Sequence, residues 1–458
     1  MEKAQKDTLA EIVATINGFF DKKIIEDAAR DTKFVQRESK LTGHVFLCVF
    51  VFAMTHYSTP TLNQLIGILE KILPELKITR QGFHERINEH AVEFFEFLLG
   101  KSVEIHIPGL LGSPILEPFG RVLIHDSTSF QLPDELAGIF KGSGGSASKS
   151  AVKIQFGFDL KNGHFFYVIQ DGTSPDNKKD NNFIDKINKD DLNLRDLGYF
   201  NIQTFYEMDA KGAYFLSRLL PNVTLYKQDT SGILVEFNLI NFLKGNHNKE
   251  IEEIDVFLKK ENKDGDIMIK VRLVIEQVPP NIKEKRVRDL NRRNKKKGCM
   301  TSDNTKVLQG FNLHISNVPS ETLAKENFRK LYTIRWQVEL VFKNWKSNFH
   351  LDKVTGFRPE RIKCMIYSKL LLIFVNSKFL FSLRNYLWNQ SQKEISEIQA
   401  SKHMQTILDE WFKNLILCPE MAKKILYDSA DFIMRKCVKT KQKNRVYPIE
   451  MLCDLSLA

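Results

Sequence analysis

Tyr332, Arg335, Glu339 and Lys346 follow one another at intervals of three, four and seven residues. On a helix turning about 100° per residue they fall at about 0°, 300°, 340° and 320°, within one sixth of the circumference. One stripe would then present a hydroxyl, a guanidinium, a carboxylate and an ammonium. Leu331, Ile334, Val338, Val341, Phe342 and Trp345 form the adjoining apolar face, at about 180° to 280°, which would pack on a sheet. Such a stripe suits phosphodiester chemistry, in which the carboxylate completes a metal site while the cations and the hydroxyl hold phosphates beside it. The same pattern also suits a solvated amphipathic helix in which Arg335 and Glu339 pair at i, i+4 spacing.

Two more acids favour the first reading. Asp126 ends the run Arg121-Val-Leu-Ile-His-Asp, expected to be a short buried strand, and Asp196 ends a second, Leu192-Asn-Leu-Arg-Asp. Acids at the ends of neighbouring strands can share two divalent cations about 3.5 to 4 Å apart, one activating the attacking oxygen and the other stabilising the leaving oxygen. Oxygen-only donors favour Mg2+, with Mn2+ as a substitute, over zinc. Among competitors for the second position, Asp209 reads as a turn or cap residue and Asp191 sits at the wrong end of its strand. Asp171, at the end of the third strand, stays open. His125 should point to the face opposite Asp126 and serve the structure.

The elements that must position these groups are legible as a succession. From Leu9 to about Val103 apolar residues recur at helical spacing, with Thr61 as an N-cap, Pro74 as a stop and Thr79 opening a helix from Arg80 to Leu98. The pair Leu62 to Leu73 and Arg80 to Leu98 allows a helix-turn-helix presenting Arg80, Gln81, His84 and Arg86 to DNA, or a plain helical bundle. After Pro118 come strands at RVLIHD, KIQFGFDL and HFFYVIQDG, the last two around Lys161-Asn162-Gly163. A helix NNFIDKIN, the strand LNLRD, a helix from Ile202 to Met208 and the strand AYFLSRL follow. The expected fold is α/β, a mixed sheet with helices packed against it. Residues 221–325 read as an inserted β-rich domain with strands VEFNLI, IEEIDVFL, IMIKVRLVIEQV and FNLHIS. A long helix from Glu326 to about Ser347 and a mostly helical remainder complete the chain.

With those residues in view, the chain resembles insertion-sequence transposases of the IS-four family. The spacing Tyr-x2-Arg-x3-Glu-x6-Lys matches that family's YREK signature, Val122-Leu-Ile-His-Asp126-Ser-Thr its first-acid strand, and Arg195-Asp196-Leu-Gly-Tyr-Phe200 its second-acid turn. The resemblance covers roughly Phe119 to Lys353. It implies an RNase H-like catalytic core that cuts and joins double-stranded DNA at terminal inverted repeats, using a metal-activated water and then the freed 3′-OH. Asp126, Asp196 and Glu339 would hold two Mg2+ ions, and Tyr332, Arg335 and Lys346 would grip phosphates. A homodimer pairing two DNA ends is implied too. Some relatives stack a flipped base on a Trp of the inserted domain; here all four Trp lie elsewhere, leaving Tyr226 or a Phe as the available ring. A nuclease without strand transfer and a catalytically silent DNA-binding derivative fit the same residues.

The organisation expected is a helical DNA-binding domain over 1–110, an RNase H-like core over 111–220 and 326–383 around the insertion at 221–325, and a helical region over 384–458. The balance of 67 Lys and Arg against 56 Asp and Glu, a formal +11, points to a polyanionic partner or a generic basic surface. Within the insertion, Lys283 to Lys297 forms a basic run whose Lys285, Arg286, Arg288, Arg292 and Arg293 would track a DNA backbone, unless the run is a solvated mobile loop. The scattered cysteines form no zinc-finger spacing. A polar start and short apolar runs such as Leu370 to Val375 predict a cytoplasmic protein without a membrane span.

Overall fold

The computed structural model describes residues 2–105, 114–145, 147–174, 183–245, 250–261, 265–335, 349–356 and 358–440. Its helices are α1 (Glu2–Phe19), α2 (Lys22–Asp31), α3 (Gly43–His56), α4 (Leu62–Ile72), α5 (Arg80–Arg86), α6 (Glu89–Glu104), α7 (Ile202–Ala210), α8 (Leu239–Lys244), α9 (Pro280–Lys296), α10 (Asp303–Leu308), α11 (Phe328–Ile334), α12 (Pro359–Ser391), α13 (Glu397–Leu417) and α14 (Pro419–Lys436). Its strands are β1 (Val122–Leu132), β2 (Ser150–Asp159), β3 (Phe165–Asp171), β4 (Leu192–Arg195), β5 (Tyr214–Arg218), β6 (Leu225–Gln228), β7 (Leu234–Phe237), β8 (Ile251–Lys260), β9 (Ile267–Gln277) and β10 (Phe311–Ser316). Contacts divide the chain into two units, Met1–Leu111 with Ser127–Ser174 and Val338–Tyr447, and Gly112–Asp126 with Pro175–Gln337 and Pro448–Ala458.

In the first unit, short polar caps set where helices begin. Thr61 closes a capping box with Gln64, and Thr79 accepts a bond from the Gly82 amide at 3.0 Å. A cap of this kind contributes about 1 kcal/mol. The single helix expected from Arg80 to Leu98 is two, because Asn88 is extended and its side chain accepts from the Ala91 amide at 3.1 Å, starting α6 afresh. Helix α3 is buried from Gly43 to Met54, as a helix apolar on every side must be. Gly43 lies so close to α2 that a Cβ there would sit 2.4 Å from the Ala29 Cβ.

Helix α12 packs on α6, α3 and α1, while α13 lies on α3 and α14. Residues given by sequence pattern to opposite ends of the chain therefore share a core: Trp411 donates to Asn17 Oδ1 at 3.0 Å and meets Phe20 edge-on at 5.4 Å. The β2–β3 hairpin, turned at Gly163 with φ +65°, stacks Phe165 on Phe374 at 5.4 Å. By length and hydropathy α12 alone among the described helices could cross a bilayer, but 89% of its most apolar window is buried in protein, so it is read as a core helix.

In the second unit the strand order is β1-β4-β5-β10-β9-β8-β6-β7. The first three are parallel, and from β5 onward each pair is antiparallel. The strands of residues 221–325 thus extend the sheet from β5. VEFNLI is not one strand: β7 stops at Phe237 and Asn238 caps α8. Where NNFIDKIN suggested a helix, the described part is a single 3-10 turn, Ile184–Lys186. Strand β1 runs past Asp126 to Leu132, since Thr128, Phe130 and Leu132 keep alternating inward. The basic run is neither strand nor loop but the helix α9, opened by Pro280 at a position where a missing N–H costs nothing. The expected mixed α/β architecture is present. The helix expected to Ser347 is described only as far as Ile334, and residues 336–348 lie outside the described residues.

Candidate active site

Strands β1 and β4 pair in parallel with Ile124 beside Leu194. That register, continued two residues along each chain, sets Asp126 level with Asp196. The next pairing sets Arg195 beside Ser217 on β5, which brings Arg218 level with Asp196, and β5 sets Arg218 directly opposite His314 of β10. Lateral neighbours project to the same side of a sheet. One row therefore carries Asp126, Asp196, Arg218 and His314. Asp126 lies inside its strand, not at its end; what ends there is β4, whose chain turns away after Asp196 into the 3-10 turn Leu197–Tyr199. Asp196 makes no side-chain cap to that turn, so its carboxylate faces other partners.

Those partners come from α11 and the residue after it. Tyr332 Oη lies 3.5 Å from Asp196 Oδ1, and Arg335 Nη2 lies 3.4 Å from the same oxygen. Arg335 also covers the Tyr332 ring at 5.6 Å, and that ring meets His314 at 5.0 Å. Phe328, Leu331 and Ile334 are buried, so Leu331 and Ile334 of the expected apolar face, with Phe328, anchor the described part of this helix while Tyr332 and Arg335 turn to the acid; the rest of that face lies outside the described residues. Burial, reinforced by Asp196, pushes the Tyr332 hydroxyl up to about 12, so it stays a protonated donor near neutrality. Burial first, then the charges of Arg218 and Arg329, holds His314 down at about 3, a neutral ring.

The opposite face explains the rest of the two acid segments. His125 is buried, bonds Asn193 Oδ1 at 3.1 Å and packs its ring on Phe183, the structural role expected of it. Desolvation, and next the Arg195 charge, lowers His125 to about 3. Arg195 is fully buried under the row, its guanidinium over the Tyr199 ring at 5.3 Å. In the segment Arg195-Asp196-Leu-Gly-Tyr199, arginine and tyrosine anchor the turn and the acid faces up. The competing acids have other work. Asp191, 2% exposed, pairs with Arg121 Nε at 3.0 Å. Asp209 accepts from Asn317 Nδ2 at 2.8 Å, and Asp171, in the first unit, accepts from the Thr173 amide at 2.9 Å.

Glu339 and Lys346 lie outside the described residues, and among the described residues no group of three or more His, Cys, Asp and Glu is placed to hold a metal ion. Two carboxylates on neighbouring strands are oxygen donors, the type of ligand that suits a hard divalent cation. Arg218 and His314 had escaped the sequence reading, because only strand register joins them to Asp196.

Of the residues expected to track DNA, Lys285, Arg288, Arg292 and Arg293 are exposed on α9. Arg286 is turned inward: its Nη2 donates to Asn312 Oδ1 at 2.8 Å, docking α9 on β10. Arg86 is likewise withdrawn from any DNA-reading face, since its guanidinium lies over Phe34 at 4.6 Å and donates to the Leu41 carbonyl.

Residues 117–375 match the family model of the transposase DDE domain. The chain is 29% identical to the transposase for insertion sequence element IS231F of Bacillus thuringiensis subsp. israelensis, over 92% of this chain and 91% of that protein. It is 30% identical to the IS231E transposase of Bacillus thuringiensis subsp. finitimus, over 82% and 81%. Identity to the IS1151 transposase of Clostridium perfringens is 30% over 96% of each chain.

Proposed function

We infer, since this chain belongs to the family of transposases with a DDE domain, that it excises and inserts an insertion-sequence element by cutting and joining DNA at terminal inverted repeats. The observation that carries this reading is Asp196, held beside Tyr332 and Arg335, on the strand that pairs with the one carrying Asp126. The mixed sheet fits an RNase H-like core. Asp126 and Asp196, with Glu339 four residues after Arg335 in the chain, would hold Mg2+ or Mn2+, most simply two ions. When bound, such ions activate an attacking oxygen and stabilise the leaving one. Arg335 and Tyr332 then serve the scissile phosphate, the guanidinium as a charged fork and the hydroxyl as a neutral donor that keeps its proton. Lys346, seven residues after Glu339 in the chain, would add a third phosphate contact. Lys285, Arg288, Arg292 and Arg293 of α9 follow the flanking duplex, residues 1–110 contribute a further DNA-binding domain, and two chains pair the two ends in the cytoplasm.

The test is incubation of the purified chain with Mg2+, DNA carrying its own element ends and a supercoiled target plasmid. Nicked ends and joined plasmid are expected, and both should vanish in Asp126→Ala. Cut ends without joined plasmid would leave a nuclease. Binding that persists in chelator with no metal-dependent product would leave a silent DNA-binding protein.

A further inference from the structure

Outside the acid row, the first unit holds a recess of about 500 Å3 lined by Arg80, Gln81 and His84 of α5 and by Arg358, Arg361 and Thr355 at the start of α12. Three guanidiniums face it, and little carboxylate answers them. Arg358 pairs with Glu360 at 3.0 Å and reaches the His84 carbonyl at 3.2 Å. Glu85 is tied to Gln81 at 2.7 Å. Arg361 donates to the Pro60 carbonyl, and neither it nor Arg80 has an ion-pair partner among the described residues. Burial, and then the neighbouring Arg80 charge, lowers the Arg361 guanidinium from its usual range. Like charges crowded this way repel unless an anion lies between them.

We propose that this recess is a DNA-backbone site distinct from the acid row, taking a phosphodiester between Arg80 and Arg361. The guanidinium fork matches two phosphate oxygens. Exposed Arg80 and Gln81 at the rim, above half-buried Arg358 and Arg361, suit a phosphate carried on a long polymer. The site rests on the reading of DNA as substrate, but it requires no chemistry.

The experiment is fluorescence anisotropy of the full-length chain on duplex DNA in chelator, over a range of salt. Arg80→Ala removes no bond within the protein among the described residues, so the fold should hold. Binding should weaken about tenfold, and the slope of log affinity against log salt should fall by about one. The loss should be equal on element-end and unrelated duplexes, because a phosphate contact carries no sequence information. Arg80→Lys should recover most of the affinity. Lys402→Ala, the same charge change at an exposed position of α13, should stay within twofold of the wild type. Unchanged affinity and slope in Arg80→Ala, or a loss no greater than that of Lys402→Ala, overturns the proposal. Stabilisation of the wild type by pyrophosphate, with DNA affinity indifferent to Arg80, overturns it in favour of a free-anion site. Because no cleavage is read, failure of strand transfer and failure of this site are separate results.

Discussion

Arg335 and the cations of α9 belong to the same unit and are held in opposite ways. Arg335 is 4% exposed, fixed between the Asp196 carboxylate and the Tyr332 ring. Lys285, Arg288, Arg292 and Arg293 stand in water on a helix with no buried residue. Burial strengthens a charge's field and fixes its direction, so the position of one guanidinium decides what it does. Solvation screens each charge, and an exposed ion pair such as Arg292 with Asp289 contributes about 0 to 1 kcal/mol. On α9 the number of cations matters more than the place of any one. The two regions should therefore fail differently: the buried stripe in the chemical step, the exposed helix in salt-dependent binding.

The largest effect should separate two acids at opposite ends of one strand. Asp196→Asn is expected to lower strand cleavage at least about a thousandfold, as losing a catalytic group does, with duplex affinity and thermal midpoint nearly unchanged. Asp191→Asn should do the reverse, since breaking a buried ion pair costs about 3 to 5 kcal/mol. Cleavage per folded molecule should survive there. Loss of cleavage at full stability in Asp191→Asn, measured by gel assay beside calorimetry, would mean the wrong acid has been chosen.

A smaller effect tests the exposed side. Arg288→Ala with Arg292→Ala should reduce the salt slope of binding by about two while leaving the cleavage rate of the bound complex intact. Arg286→Ala, two residues before Arg288 on the same helix, should instead cost about 1 to 3 kcal/mol of stability by stranding Asn312 Oδ1 and the Phe311 carbonyl of β10. If the two variants behave alike, inward and outward faces of α9 are not distinct.

This contrast also marks what the sequence could reveal. The acids were legible because each follows an apolar run, although β1 continues past Asp126, and the described face of α11 was legible because periodicity fixes it. The row was not, since Arg218 and His314 reach Asp196 only through pairing of strands distant in the chain. Helix α9 lacks an apolar stripe, so its basic run gave no helical period to read. Asn88 hid inside an amphipathic stretch, and only its cap reveals that α5 and α6 are separate. The shared core of α1 and α13 rests on contacts such as Trp411 with Asn17, which no local pattern announces.

The smallest effect expected is on acid stability, and it again falls on the buried side. His125 and His314 titrate near 6.5 when unfolded and at about 3 in the fold, each held neutral chiefly by desolvation. Between those values the unfolded chain binds protons that the folded chain refuses. Stability is thus fully present above about 6.5 and falls with pH, by about 1.4 kcal/mol per unit for each histidine. His314→Phe keeps a ring against Tyr332 and removes one of the two protons. Urea midpoints from pH 7 to 5 should then fall less steeply than in the wild type, by about one histidine's share. The α9 cations do not titrate there, so the salt slope of DNA binding should not change over the same range. Parallel loss of stability in wild type and variant would mean that His314 accepts a proton in the folded state. The ring under Tyr332 would then carry a charge beside Arg218, and the neutral floor beneath the stripe would be wrong.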